Sequence, residues 1–420
     1  MKTYTIAVLG CGNRGCAYAE EVAKRKKNFV FTALCDPQPS QMKRLQRIIS
    51  KSDQMLYTDE NEFFQEKRAD ALIIATPDRE HVSQAVRAMR LGYDVLLEKP
   101  ISDSREDIEE LLKVHKETGR HLIVCHVLRY GPGYQKCAEI LKSGVLGKLY
   151  AIDASERVAY WHWAQAYVRG IGASMELGHP AILAKCSHDL DLIQYYAGSK
   201  CDTVSSVGEL RFFRPENAPA GAADRCLDCI HQEKCPYSAK RIYIDGWYEQ
   251  GKPEFVWPFT KVSNEYPHTE EVLREALKTN ENGRCAFKCQ VEKVDHQMVQ
   301  MTFRNGVKAS LKMVYASAPG RRIVFYCNYG ELVFDEREEK IEVRPFGEQP
   351  EIISLKTVLE GGNAHGGGDR VLSETFCNMI EGVAECPTTL EESVECHLMG
   401  IAAEESRKRG GTLVKVHENN

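Results

Sequence analysis

The sequence predicts an α/β amino-terminal domain built on a parallel sheet, followed by an α+β domain with a large, mainly antiparallel open sheet. Three observations carry this. Short β-rich runs alternate with amphipathic helical stretches through the first third of the chain, as in a sheet with helices on both faces. A glycine-rich turn follows the first of these runs. Beyond Lys148 strand-like runs separated by turn signals take over, which suits an antiparallel sheet covered by helices on one face. At 420 residues the chain exceeds what one core supports, and the change of character divides it into residues 1–127 and 128–420.

Taken in order, YTIAVLG, FVFTALC, ADALIIA, YDVLLE and HLIVCHV read as strands, and EHVSQAVRAMRLG and SREDIEELLKVHKETG as helices between them. At the first strand-to-helix turn stand Gly10, Gly12 and Gly15, with Asn13 and Arg14 at the helix start. The first glycine permits a tight turn, the second lets a pyrophosphate approach the backbone, and the third allows helix and strand to pack closely. Free N–H groups at the helix start then attract the phosphates. Asp36 closes the second strand at the spacing the dinucleotide fingerprint requires, so the first domain reads as a Rossmann domain that binds NAD. A carboxylate there accepts the ribose hydroxyls and repels a 2′-phosphate, favouring NAD over NADP unless Arg14 reaches the same pocket.

The run ATPDREHVSQAVRAMRLGYDVLLEKPIS resembles the glucose–fructose oxidoreductase, inositol dehydrogenase and rhizopine-catabolism family, Gfo/Idh/MocA. The match rests on Thr76, Pro77 and His81, on the helix leading to Gly92, and on Glu98-Lys99-Pro100 at a strand end. The resemblance implies an NAD(P)-dependent oxidoreductase that interconverts a hydroxyl and a ketone on a sugar, cyclitol or related polyol. It also implies that Thr76, Pro77, His81, Glu98, Lys99 and His126 lie near the cofactor, with Arg129 near the substrate. Independently, Lys99 falls at the carboxyl end of a parallel strand, where open α/β sheets bind ligands, and a lysine there can take a hydroxyl proton if burial lowers its pKa.

In the second domain HPAILAKCSHDLDLIQYYAG forms a helix on which Lys185 and His188 share a face, as do His188 and Asp191. The family usually has Asp-x-x-x-His here. His188 fits as an acid–base partner of Lys99, but the aspartate position is Ala184, which leaves Lys185 or Asp189 as the stand-in. AYWHWAQAYVRG gathers Tyr160, Trp161, His162 and Arg169, a candidate platform for a sugar ring or, equally, ordinary strand packing. Near the carboxyl terminus His365 and Asp369 lie in GGNAHGGGDR; His365 is a candidate to close over a ligand and Asp369 to cap the following helix. Related open sheets supply the substrate floor and often a subunit interface, so a homodimer or homotetramer is expected.

An insertion at about residues 214–290 departs from the family pattern. It holds Cys226, Cys229 and Cys235 in RCLDCIHQEKCPY, and an irregular segment this long needs a tie. Three thiolates in one knuckle suit structural zinc, with Cys285 as fourth ligand and Cys289 or His231 behind it. Four protein ligands would leave no open position for catalysis. The 16 cysteines are spread through apolar runs rather than set as a disulfide scaffold, which indicates a reducing, cytoplasmic setting. A net charge of −5 argues against a nucleic-acid surface, no apolar run is long enough to span a membrane, and MKTYTIAVLG enters a strand where a signal sequence would need its apolar region. Two other functions use the same residues: a redox-neutral glycosidase with tightly held NAD, and a sugar or dinucleotide sensor without turnover.

Overall fold

The computed structural model describes residues 2–25, 27–358 and 364–417, with two sheets. Strands β1 (Tyr4–Leu9), β2 (Phe29–Cys35), β3 (Met55–Tyr57), β4 (Ala71–Ile74), β5 (Asp94–Leu97) and β6 (Leu122–Val124) form the first. All neighbours are parallel, in the order β3-β2-β1-β4-β5-β6. The runs are apolar throughout because both faces are covered: β4 is buried at all four positions. The order reverses between β1 and β4, which opens a crevice at their carboxyl ends.

The second sheet comprises β7 (Leu149–Ala159), β8 (Cys201–Glu209), β9 (His296–Phe303), β10 (Lys308–Ser317), β11 (Gly320–Cys327), β12 (Gly330–Asp335), β13 (Lys340–Pro345), β14 (Glu351–Ser354) and β15 (Val414–Lys415). Their order is β14-β13-β12-β11-β7-β10-β9-β8-β15. The β7/β10 pair is parallel and the other pairs antiparallel. Alternation is clear on β9, where Gln297, Val299, Met301 and Phe303 are buried while Met298 and Gln300 are exposed. One face therefore packs on helices Ser187–Ala197 and Leu390–Lys408, and the other is open in a single chain.

Two features go beyond the simple division of the chain. Helix Gly368–Ile380 returns to the first sheet, where Leu372, Phe376 and Cys377 join the core that holds Ile6 and Val8. The insertion connects β8 to β9, which are hydrogen-bonded neighbours, through residues 210–295. Its Tyr243, Phe259, Leu273 and Leu277 are fully buried and join the core of the second domain.

Candidate active site

The glycine turn is shaped by contacts a side chain would destroy. Gly10 has φ +88°, and a Cβ there would meet the Ala75 carbonyl oxygen at 2.5 Å; a Cβ on Gly15 would meet the Gly10 oxygen at 2.1 Å. Gly12 faces open space, with nothing within 4 Å of a Cβ position, so a phosphate has access at the start of helix Asn13–Arg25. Asp36 is buried and oriented by the N–H groups of Cys11 (2.8 Å) and Gln38 (2.9 Å). Burial pushes its carboxyl up, against the pull of these N–H groups. Asn13 accepts hydrogen bonds from Arg44 (2.7 Å) and from Thr260 of the insertion (3.0 Å), while its own NH₂ group is buried without a partner. The turn, the open face over Gly12 and the fixed Asp36 fit a dinucleotide.

Arg14 turns away from Asp36. Its Nε lies 2.6 Å from Glu98 Oε1 and its Nη2 2.6 Å from Asp369 Oδ1, and the Tyr18 hydroxyl donates to Glu98 at 2.6 Å. Burial pushes the Glu98 carboxyl up, but Arg14 and Lys99 outweigh it and hold it below the usual range. Asp369 thus serves a buried ion network across the chain. Thr76 and His81 act on the loops at the sheet's carboxyl edge. The His81 ring nitrogens face the carbonyl oxygens of Pro100 (2.6 Å) and Thr76 (3.1 Å), tying the Thr76-Pro77 turn to the end of β5.

Lys99 stands just past β5 and donates to the carbonyl oxygen of Ala184 at 2.8 Å, which joins the first sheet to the second-sheet helices. The Tyr167 hydroxyl donates to the same oxygen at 3.4 Å. Burial pushes the Lys99 ammonium down, and Glu98 and Asp78 restore only part of the shift. Where the family pattern has a carboxylate side chain, this chain presents a backbone carbonyl. No residue-type signal could have revealed that, since every residue carries one.

His188 is buried, with its ring 6.5 Å from that of His126 and nearly perpendicular to it. Lys185 and Asp189 are engaged elsewhere. Lys185 lies 3.2 Å from Glu156, and Arg321 bridges Glu156 (2.7 Å) and Asp189 (2.8 Å). Burial raises the Asp189 carboxyl in spite of Arg321, whereas Arg321 and Lys185 bring Glu156 below its usual range against burial. His126 packs against Cys396, and burial lowers its pKa.

Arg129 forms a buried two-point pair with Asp191, Nε to Oδ2 at 3.0 Å and Nη2 to Oδ1 at 2.5 Å, and lies over the Tyr195 ring. Its Nε and Nη2 face helix Ser187–Ala197, and its Nη1 lies 3.6 Å from Glu392 on helix Leu390–Lys408. Tyr160–Trp163 is one helical turn after β7, and its aromatics meet the insertion: Trp161 and His162 lie 5.0 and 4.7 Å from the Trp257 ring, and Tyr160 lies 6.0 Å from Tyr237. The His365 side chain lies outside the described residues.

Arg169 reaches the cysteine knuckle. Its guanidinium donates to Arg284 O (2.7 Å), to Tyr237 O, and to Cys226 Sγ at 3.5 Å. Cys226, Cys229, Cys235 and Cys285 line one cavity of about 20 Å³, room for a single small occupant. No three of these sulfur atoms all lie within 4.8 Å of one another. Among the described residues that spacing is met by His126, Cys396 and His397. There His397 Nδ1 donates to Ser393 O (2.9 Å) and Nε2 accepts the Ile101 N–H (2.8 Å), so its lone pair is already used. That group is packed as a polar core, with both His397 nitrogens already hydrogen-bonded.

A sequence model of an oxidoreductase family with an NAD-binding Rossmann fold matches residues 4–126. The chain is 23% identical over 371 residues to a putative oxidoreductase, YteT, of Bacillus subtilis, covering 83% of this chain and 82% of that protein. It is 25% identical over 231 residues to the scyllo-inositol 2-dehydrogenase (NAD(+)) of the same organism, covering 53% of this chain and 62% of that one. The fold matches scyllo-inositol dehydrogenase from Lactobacillus casei, solved with NAD(H) and scyllo-inositol. The TM-score is 0.67 at 16% identity, over 99% of each chain.

Proposed function

Residues 4–126 match the Gfo/Idh/MocA oxidoreductase family, and from that premise we propose that the chain is an NAD-dependent dehydrogenase interconverting a hydroxyl and a ketone on a sugar, cyclitol or related polyol. The observation that carries this is Lys99, placed at the carboxyl end of β5 with its ammonium held by Ala184 O and its pKa lowered by burial. Bound NAD supplies the hydride acceptor. Lys99 accepts the hydroxyl proton through Nζ as the hydride departs, Glu98 and Asp78 stabilise the ammonium that results, and the Ala184 carbonyl keeps Nζ in place. His188 stands as a second proton-sharing group from the other wall, with Lys185 beside it. Asp36, Gly12 and Asn13 hold the dinucleotide, and the fixed Asp36 carboxylate favours NAD over NADP. Arg129, Arg169 and the Tyr160–Trp163 turn support the walls of the cleft through Asp191, the knuckle and Trp257. Incubating the protein with NAD and a polyol panel tests the reading: Lys99→Met is expected to lower kcat for NADH formation by about 10²–10⁴-fold. Turnover of a polyol undiminished by that change would sink it. The redox-neutral glycosidase and the sensor gain no separate support.

The knuckle of Cys226, Cys229, Cys235 and Cys285 is proposed as a structural zinc site. Its support is the donor set, the small shared cavity, and Arg169, a buried cation beside Cys226 that would offset thiolate charge. Loading would draw the sulfurs together, since Zn–S bonds of about 2.3 Å need closer thiols. The open face of the second sheet supports a homodimer or homotetramer. The spread of the 16 cysteines through a long chain, several in apolar runs, supports a reducing cytoplasmic location. No helix among the described residues is long and apolar enough to cross a membrane.

A further inference from the structure

The insertion does more than pack beside the second sheet. Its tip reaches the start of helix Asn13–Arg25 and the loop after β2, the two places where a Rossmann domain holds the diphosphate and the adenosine ribose. Thr260, 3% exposed, donates through Oγ1 to Asn13 Oδ1 at 3.0 Å. Asn264 bonds two glutamines that follow Asp36: its amide donates to Gln38 Oε1 and accepts from Gln41 Nε2 at 2.6 Å. Between them Lys261 is exposed as a residue, but its ammonium is crowded by protein: that burial and the like-charged Arg44 push its pKa down, against the pull of Asp36 and Glu281.

The tip is also tied from behind. Asn282 donates to Lys261 O at 2.9 Å and Asn280 to Val262 O at 2.7 Å, while Arg225 donates to the carbonyls of Leu277 and Asn280. Arg225 and Arg284, which flank Cys226 and Cys285, are joined by a β-bridge. A continuous path of hydrogen bonds therefore runs from the knuckle to Lys261. An ammonium held at this point, beside a carboxylate already committed to two backbone N–H groups, is placed for a ligand carrying both hydroxyls and negative charge.

We propose that residues 260–264 form a clasp over the adenosine diphosphate half of the dinucleotide, in which Lys261 is the cation that meets the diphosphate and Thr260 and Asn264 hold the clasp shut. This rests on the NAD reading above. The test measures binding, with NAD, ADP and adenosine as probes in calorimetry and stopped-flow release. Lys261→Ala is expected to weaken NAD and ADP about tenfold, the scale of one charge-assisted hydrogen bond, and to leave adenosine within about twofold of wild type. Lys261→Arg is expected to retain most of the affinity. Asn264→Ala is expected to speed NAD release several-fold while the circular dichroism spectrum stays that of the wild type. Lys261→Ala binding NAD and ADP as the wild type does would overturn the proposal, as would equal losses for ADP and adenosine. A wild-type protein that binds no NAD is a different result, and it removes the dinucleotide reading itself.

Discussion

Lys99 is defined by competition among its neighbours. Burial favours the neutral amine, Glu98 and Asp78 favour the ammonium, and burial wins. Polyol oxidation needs the neutral form, so kcat/KM is expected to rise with pH and to level off at a midpoint below the ordinary lysine range. A pH-rate profile checks the sign. In Lys99→Arg the profile loses that limb, because a guanidinium does not deprotonate in this range. A profile unchanged by the arginine substitution would transfer the proton to another group, with His188 first in line.

At the scale of elements, two ties join pieces distant in sequence. Arg129, just past β6, holds Asp191 on helix Ser187–Ala197, with the Asp191 carboxylate fully buried. Arg129→Met strands that charge, and a loss of about 3–5 kcal/mol in urea-unfolding stability is expected. The cysteine knuckle is the second tie. Chelating the zinc proposed there, or making Cys229→Ser, is expected to expose residues 214–290 to limited proteolysis and to lower the melting temperature while turnover by the folded protein persists. Immediate loss of turnover with protease resistance intact would instead move the knuckle into the chemistry. The knuckle was legible as a cluster of thiols. Its connection to Arg169 was not, because an arginine in an aromatic-rich turn carries no mark of a partner more than fifty residues away.

For the whole molecule, the second sheet keeps one face open in a single chain. Val207 and Met298 are register partners on β8 and β9 and stand 55% and 49% exposed on its open face. A neighbouring subunit would cover them. Sedimentation velocity is expected to show a dimer or tetramer, and the double substitution Val207→Asp with Met298→Asp is expected to shift it toward monomer; a monomeric wild type would refute this.

The sequence by itself determined the parallel sheet, the glycine turn with Asp36, and Lys99 at a strand end. Each is written in local spacing: period-two and period-3.6 patterns, glycine intervals, and a charged residue directly after an apolar run. Only the tertiary structure decided what faces those residues. It replaced an expected side-chain carboxylate by the Ala184 carbonyl, committed Arg14 to Glu98 and Asp369, returned helix Gly368–Ile380 to the first core, and laid the insertion's tip against Asn13 and Gln38. Such pairings join segments far apart in the chain, and they arise from burying two surfaces together, which no local pattern records.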